Sequence, residues 1–193
     1  MEVKSILDKQ AFTALLNGFQ LTADQAVTQH NHYFETASFA LKEQGAALRV
    51  REIAGAYTLT LKQPHQDGKL ETHQPLDAVE WEQLKEEQRF PNGDVYQQLS
   101  SLKIPLAELA YAGTLTTKRI ELAYKGGLLC FDESHFFDQV DYEIEFEGMS
   151  LTHAEETLSQ LLQQYGISAS PAENKVRRFF RRKHQLADFE QHP

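Results

Sequence analysis

The chain has 193 residues, 41% apolar and 24% charged, which is enough for one substantial core or at most two small ones. Its net charge of −9 and pI near 5.4 argue against a general nucleic-acid binder, which carries a basic field. The single cysteine, Cys130, excludes an internal disulfide. The start, Met1-Glu-Val-Lys-Ser-Ile, has no signal-peptide layout, and no apolar run is long enough to span a bilayer. A cytoplasmic protein with no membrane partner is expected.

In chain order, Glu2–Ile6 reads as a strand, and Asp8 can cap a helix running to about Leu16 to Phe19. Tyr33–Thr36 is a second strand. Ala54-Gly55 then separates the runs Ala46–Ile53 and Ala56–Gln63, and Asp67-Gly68 leads into Lys69–Gln74. Gly-containing turns between alternating runs signal antiparallel hairpins. Ala78–Phe90 and Asp94–Leu102 form a predicted helical pair broken by Pro91-Asn92-Gly93. Gly126-Gly127 separates Thr116–Tyr124 from Leu128–Phe131, and Val140–Glu147 is the last strand. Thr152-x-x-Glu155 is a capping box for a helix reaching Tyr165 and stopped by Gly166. Pro171 is predicted to open a final helix bearing Lys175, Arg177, Arg178, Arg181, Arg182 and Lys183. With no linker, low-complexity tract or repeat, residues 1–193 read as a single α+β domain. Its roughly eight antiparallel strands are a number that can close into a barrel.

The charges on these strands are sorted by sign. Arg49 and Arg51 alternate with Leu48 and Val50; Thr58, Thr60 and Lys62 alternate with Tyr57, Leu59 and Leu61. Arg119 and Glu121 face away from Ile120 and Leu122. Asp141, Glu143 and Glu145 alternate with Val140, Tyr142, Ile144 and Phe146. Side chains on a strand alternate between faces, so each strand has one apolar and one charged face. Any single strand of this kind fits a sheet with one solvated face, but a solvated face usually mixes its signs. Guanidinium forks suit phosphate oxygens. Carboxylates at i, i+2 suit a hard cation such as Mg²⁺ or Mn²⁺, which prefers a few carboxylates together with the substrate's own phosphates. The residues by themselves point to a metal-dependent polyphosphate site.

These residues also stand in the order of a known family. Glu2-Val-Lys4 resembles the second half of an E-x-E-x-K strand, Tyr33-Phe-Glu-Thr36 a Y-F-D-T strand with Glu35 for Asp, and Leu48-Arg-Val-Arg51 an L-R-x-R strand. Leu59-Thr-Leu-Lys62, Thr117-Lys-Arg119, Phe131-Asp132, Glu143-Ile-Glu145 and a late helical Lys175 follow. Over nearly its whole length the chain resembles the CYTH proteins, or triphosphate tunnel metalloenzymes, and most closely a Gram-positive branch labelled as adenylate cyclases. The resemblance implies an eight-stranded antiparallel β-barrel with a charged interior, or tunnel, flanked by helices. It implies that Lys4, Arg49, Arg51, Lys62, Arg119 and Lys175 hold a triphosphate, with Arg51 and Lys62 as the catalytic cations. Glu2, Glu143 and Glu145, with Asp132 as a further acid, would hold Mg²⁺ or Mn²⁺. The expected activity is metal-dependent hydrolysis of a small-molecule triphosphate, inorganic triphosphate first, with thiamine or nucleoside triphosphates as other substrates. The first glutamate of E-x-E-x-K is missing, because Met1 takes the intervening position; a start placed too late is expected rather than a lost carboxylate.

Two other functions use the same residues. An adenylate cyclase would displace pyrophosphate from ATP with the ribose 3′-oxygen, and a polyphosphate- or nucleotide-binding module would hold its ligand with little turnover. The chain has neither a P-loop nor a GxGxxG fingerprint. His30-Asn-His32 reads as loop, without the partner spacing of a zinc site. In the last helix, Val176, Phe179 and Phe180 are expected to pack inward, with Arg177, Arg181, Arg182 and Lys183 on a solvated face. Cys130 is read as structural, and on the apolar side only if Phe131 and Asp132 end a strand.

Overall fold

The structure is a computed structural model that describes residues 1–66, 68–171 and 173–191. The strands are β1 (Glu2–Leu7), β2 (Val27–Glu35), β3 (Ala47–Ile53), β4 (Ala56–His65), β5 (Gly68–Leu76), β6 (Ala110–Tyr124), β7 (Gly127–Phe136) and β8 (Gln139–Glu147). The helices are α1 (Lys9–Gly18), α2 (Ala40–Glu43), α3 (Ala78–Glu87), α4 (Asp94–Ser101), α5 (Leu151–Gln164) and α6 (Lys175–Gln191). The sheet order is β1-β8-β7-β6-β2-β3-β4-β5. This is the expected α+β class with eight antiparallel strands and flanking helices, although the order has two ends, β1 and β5, where a closed barrel has none. No helix among the described residues is long and apolar enough to cross a membrane.

The chain divides into two compact units, Met1–Thr28 with Thr116–Pro193, and Gln29–Leu115. In the first, β1 pairs with β8 and β8 with β7, which pairs with β6. The apolar face of these strands, with Ile120, Leu129, Phe131, Ile144 and Phe146, packs on Phe12 and Leu15 of α1 and on Leu158, Leu161 and Leu162 of α5. Asp8 accepts a hydrogen bond from the Ala11 amide at 2.7 Å, which fixes the start of α1 as its sequence predicts. Phe131 is fully buried against Phe12 and Phe19, and its truncation to alanine should cost about 3–5 kcal/mol.

In the second unit, β3 sits between β2 and β4, and β4 pairs with β5. Phe34, Leu48, Val50, Leu59 and Leu61 cover Trp81 and Leu84 of α3 and Val95 and Leu99 of α4. Ala54 and Gly55 have φ of +50° and +79°, the pair of left-handed residues that a two-residue hairpin turn requires. The Glu35 carboxylate accepts from the amides of Thr36 (2.8 Å), Leu41 (3.0 Å) and Lys42 (3.0 Å). It ties the end of β2 to α2, so the acid of the Tyr33–Thr36 motif is spent on backbone.

Several boundaries move. β2 begins at Val27, so His30-Asn-His32 is strand and not loop; Asn31 points to the charged face, and His32 packs against Trp81 with the rings tilted and their centroids 4.6 Å apart. The β6–β7 turn is Lys125-Gly126 and not Gly126-Gly127. Gly127 is already in β7, where an added Cβ would lie 2.3 Å from the Glu147 carbonyl oxygen. α5 is capped by Ser150, which accepts from the His153 amide at 3.1 Å, rather than by Thr152. α6 starts at Lys175 and not at Pro171, which forms an isolated bridge with Ser5. Asp67 of the expected Asp67-Gly68 turn lies outside the described residues.

Candidate metal centre and basic cluster

The strand registers bring the acids of the first unit together. Asp132 of β7 stands opposite Glu143 of β8 on one side and Arg119 of β6 on the other, while Lys4 of β1 stands opposite Glu145. Asp132, Glu143 and Glu145 are buried, and each offers an oxygen that lies within 4.8 Å of those of the others. Arg119 grips Asp132 through Nε and Nη2, both at 2.6 Å, and reaches Glu145 with Nη2 at 2.6 Å. The Lys175 ammonium donates to Asp132 Oδ2 at 2.6 Å, Glu143 Oε1 at 2.7 Å and Glu145 Oε1 at 2.7 Å. Arg178, one helical turn further on, donates to Glu143 Oε2 at 2.7 Å and Asp141 Oδ2 at 2.7 Å.

Burial and the neighbouring Glu145 raise the pKa of Glu143 against the pull of Lys175. Burial would also raise Glu145, but its hydrogen bond with Glu143 and the charges of Lys175 and Arg119 outweigh that and hold it low. The two carboxylates thus share their titration unequally. Burial alone would lower Lys175, yet Asp132, Glu145 and Glu143 outweigh it and raise its pKa.

Three buried carboxylates converging within a few ångströms form an oxygen donor set that suits a hard divalent cation of the Mg²⁺ or Mn²⁺ kind. Glu2 is not among them. It is largely exposed and accepts from Lys4 at 3.1 Å, while Lys4 lies 3.9 Å from Glu145. Cys130 belongs to the charged face, not the apolar one: it stands opposite Glu121 and Glu145 in the register, two residues from Asp132. Burial pushes its thiol pKa up to about 12.

The second unit gathers cations. In its register Arg49 faces Thr60, Arg51 faces Thr58 and Asn31, and Lys62 faces Glu71. Arg51 Nε donates to Asn31 Oδ1 at 3.0 Å, and Lys62 donates to Glu71 at 2.7 Å. Arg49 Nε is buried and has no hydrogen-bond partner among the described residues. Burial lowers the pKa of Lys62; Glu71 opposes this, while Arg49 and Arg51 reinforce it. For Glu71, burial raises the pKa, but Lys62 and Arg49 outweigh it and bring it down. Arg49, Arg51 and Lys62 repel one another on this face, and the buried Arg49 Nε is a donor that an anion would satisfy.

Sequence reasoning passed over two residues. Arg178 was placed in the last helix without a partner, although its i+3 spacing from Lys175 puts both on one face. Asn31 lay in the segment read as loop. The predicted inward packing of Phe179 holds, since it is fully buried, while Phe180 is partly buried. Arg182 pairs with Asp138, and Arg181 with Glu173.

These registers, the strand order and the sorted charges define a class that the comparisons name. The CYTH domain model matches residues 1–180, and the chain belongs to that family. It is 40% identical over 185 residues to YjbK of Bacillus subtilis (strain 168), a proposed triphosphatase, across 95% of both chains. It is 44% identical to a proposed adenylate cyclase from Bacillus halodurans solved by crystallography, with a TM-score of 0.87 over 93% of this chain and 96% of that one. The Hippeastrum protein HpAC1, a proposed adenylyl cyclase with a dominant triphosphatase activity, shares the fold at 21% identity. Its TM-score is 0.79 over 92% of this chain and 93% of that one.

Proposed function

We propose that this CYTH protein acts as a single domain and is a divalent-metal-dependent triphosphatase, with inorganic triphosphate as its first substrate. The observation that carries this reading is the buried triad Asp132, Glu143 and Glu145, together with membership of a family that includes a relative at 40% identity named for triphosphatase activity. The triad would hold Mg²⁺ or Mn²⁺. When bound, such an ion orients or acidifies a water for attack on a phosphoryl group.

Arg49, Arg51 and Lys62 are the proposed phosphate-binding groups of one unit, and Lys4, Arg119 and Lys175 those of the other. Arg51 Nε is held by Asn31, which limits how far its guanidinium must rearrange during the reaction. Lys62 leaves Glu71 for a phosphate oxygen and offsets charge on the equatorial oxygens of the transferred group. Arg49 Nε, buried and without a hydrogen-bond partner among the described residues, gains one from a phosphate oxygen.

The test is phosphate release from inorganic triphosphate with Mg²⁺, Mn²⁺ or chelator. Metal-dependent release that falls steeply in Arg51→Ala and in Glu143→Gln, with both variants folded, is the expected result. Unchanged turnover in both variants would remove the site assignment. The 44% identical B. halodurans protein is named for adenylate cyclase activity, so ATP is assayed in parallel, and cyclic AMP as the main product would replace hydrolysis with cyclisation. Tight triphosphate binding without release would leave a binding module.

A further inference from the structure

An ammonium has three protons, and Lys175 commits one to each acid of the triad, at 2.6, 2.7 and 2.7 Å. In this state it has no proton left for a phosphate oxygen. A divalent ion bound by the same three oxygens, about 2.0–2.1 Å from each for Mg²⁺, would lie where the ammonium nitrogen lies. Two cations cannot share that position. We propose that Lys175 is an internal cation that occupies the metal position of the triad, and that metal binding expels it and frees its ammonium for the substrate's phosphates. The inference rests on the reading of Asp132, Glu143 and Glu145 as metal ligands.

The geometry of α6 supports expulsion confined to its first turn. Lys175 is the first residue of α6, where the helix dipole disfavours a cation, so the carboxylates and not the helix hold it in place. The next turn has anchors of its own. Arg178 uses the other oxygen of Glu143, Oε2, and Asp141 Oδ2, both at 2.7 Å. Phe179 is fully buried and stacks on Phe137 with ring centroids 4.9 Å apart. Loss of Glu143 Oε1 to a metal therefore leaves Arg178 attached. Charge balance points the same way. The triad and Asp141 carry at most four negative charges, and Lys175, Arg119 and Arg178 answer three of them, with Lys4 3.9 Å from Glu145. A divalent ion added without a departure would overfill the cluster.

The test is calorimetric titration of Mn²⁺ into the wild type, Lys175→Met and Glu145→Gln, together with amide hydrogen exchange of the wild type with and without Mn²⁺. Lys175→Met should bind Mn²⁺ at least tenfold more tightly than the wild type, and Glu145→Gln more weakly. In the wild type, Mn²⁺ should speed exchange at residues 175–179 severalfold and leave residues 180–188 unchanged. Equal or weaker binding by Lys175→Met, with binding lost in Glu145→Gln, would overturn expulsion and leave the metal site standing. No Mn²⁺ binding by any of the three proteins would overturn the metal site and the inference together. If Lys175→Met does not fold, the wild-type exchange decides: unchanged or slower exchange at 175–179 on adding Mn²⁺ overturns expulsion.

Discussion

The two units solve opposite electrostatic problems on the same strand pattern. In the unit of β1, β6, β7 and β8, the buried acids Asp132, Glu143 and Glu145 are answered by Lys175, Arg119 and Arg178 at 2.6–2.7 Å. In the unit of β2–β5, Lys62 pairs with Glu71 and feels the like charges of Arg49 and Arg51, and Arg49 Nε is buried without a hydrogen-bond partner among the described residues. Breaking one partner of a buried charge pair usually costs about 3–5 kcal/mol. The acidic unit is therefore stabilised by its own cations and must exchange one of them to take a metal. The basic unit keeps a buried donor, Arg49 Nε, without a partner among the described residues, which a polyanion would satisfy. One is neutralised in advance and the other is poised.

The sharpest break in this contrast is Glu145→Gln. It removes one of the three converging carboxylates, and phosphate release from inorganic triphosphate should fall about 1,000-fold, about 4 kcal/mol of barrier; activity within about tenfold of wild type would exclude Glu145 as a ligand. Arg51→Ala comes next. Losing one charge-assisted contact should lower kcat/KM about 100-fold, about 2.7 kcal/mol, while leaving Mn²⁺ affinity unchanged.

Glu71→Gln tests the poise of the basic unit. It releases Lys62 from a half-exposed pair, whose contribution to stability is about 0–1 kcal/mol. Triphosphate should bind about threefold more tightly, and the melting temperature should hardly move; weaker binding would show that Glu71 orients Lys62 rather than competing for it.

The smallest effect concerns Cys130. Its thiol pKa is raised by burial from the ordinary 9.0 to about 12. A group raised in the folded state contributes stability that is full below the unfolded pKa and is lost as pH rises through the folded value. Stability should therefore decline between pH 9 and pH 12, and less steeply in Cys130→Ala. The wild-type thiol should also resist a disulfide reagent at pH 8.

What could be read from the sequence follows from period and spacing. Alternation alone put Arg49, Arg51 and Lys62 on one face and Asp141, Glu143 and Glu145 on another, because a strand leaves no other choice. Asp8 announced α1 for the same local reason. Register was not legible even between consecutive strands: that Asp132 faces Glu143 and Arg119 depends on where the β6–β7 and β7–β8 hairpins turn, which local pattern misplaces or leaves open. β2 was truncated because His30-Asn-His32 reads as polar, yet His32 is sheltered by Trp81 from α3, a contact that local pattern cannot contain. The start of α6 was misplaced because Pro171 fits a first helical turn in isolation, while its pairing with Ser5 decides otherwise. Lys175 showed its charge but not its three partners.

The most direct measurement is a pair of calorimetric titrations on Glu145→Gln and Arg51→Ala, one with Mn²⁺ and one with inorganic triphosphate in chelator. Metal binding should be weakened in the first variant and unchanged in the second, and metal-free triphosphate binding weakened in the second and unchanged in the first. If both variants lose the same ligand and keep the other, the division between an acidic metal centre and a basic phosphate cluster is wrong.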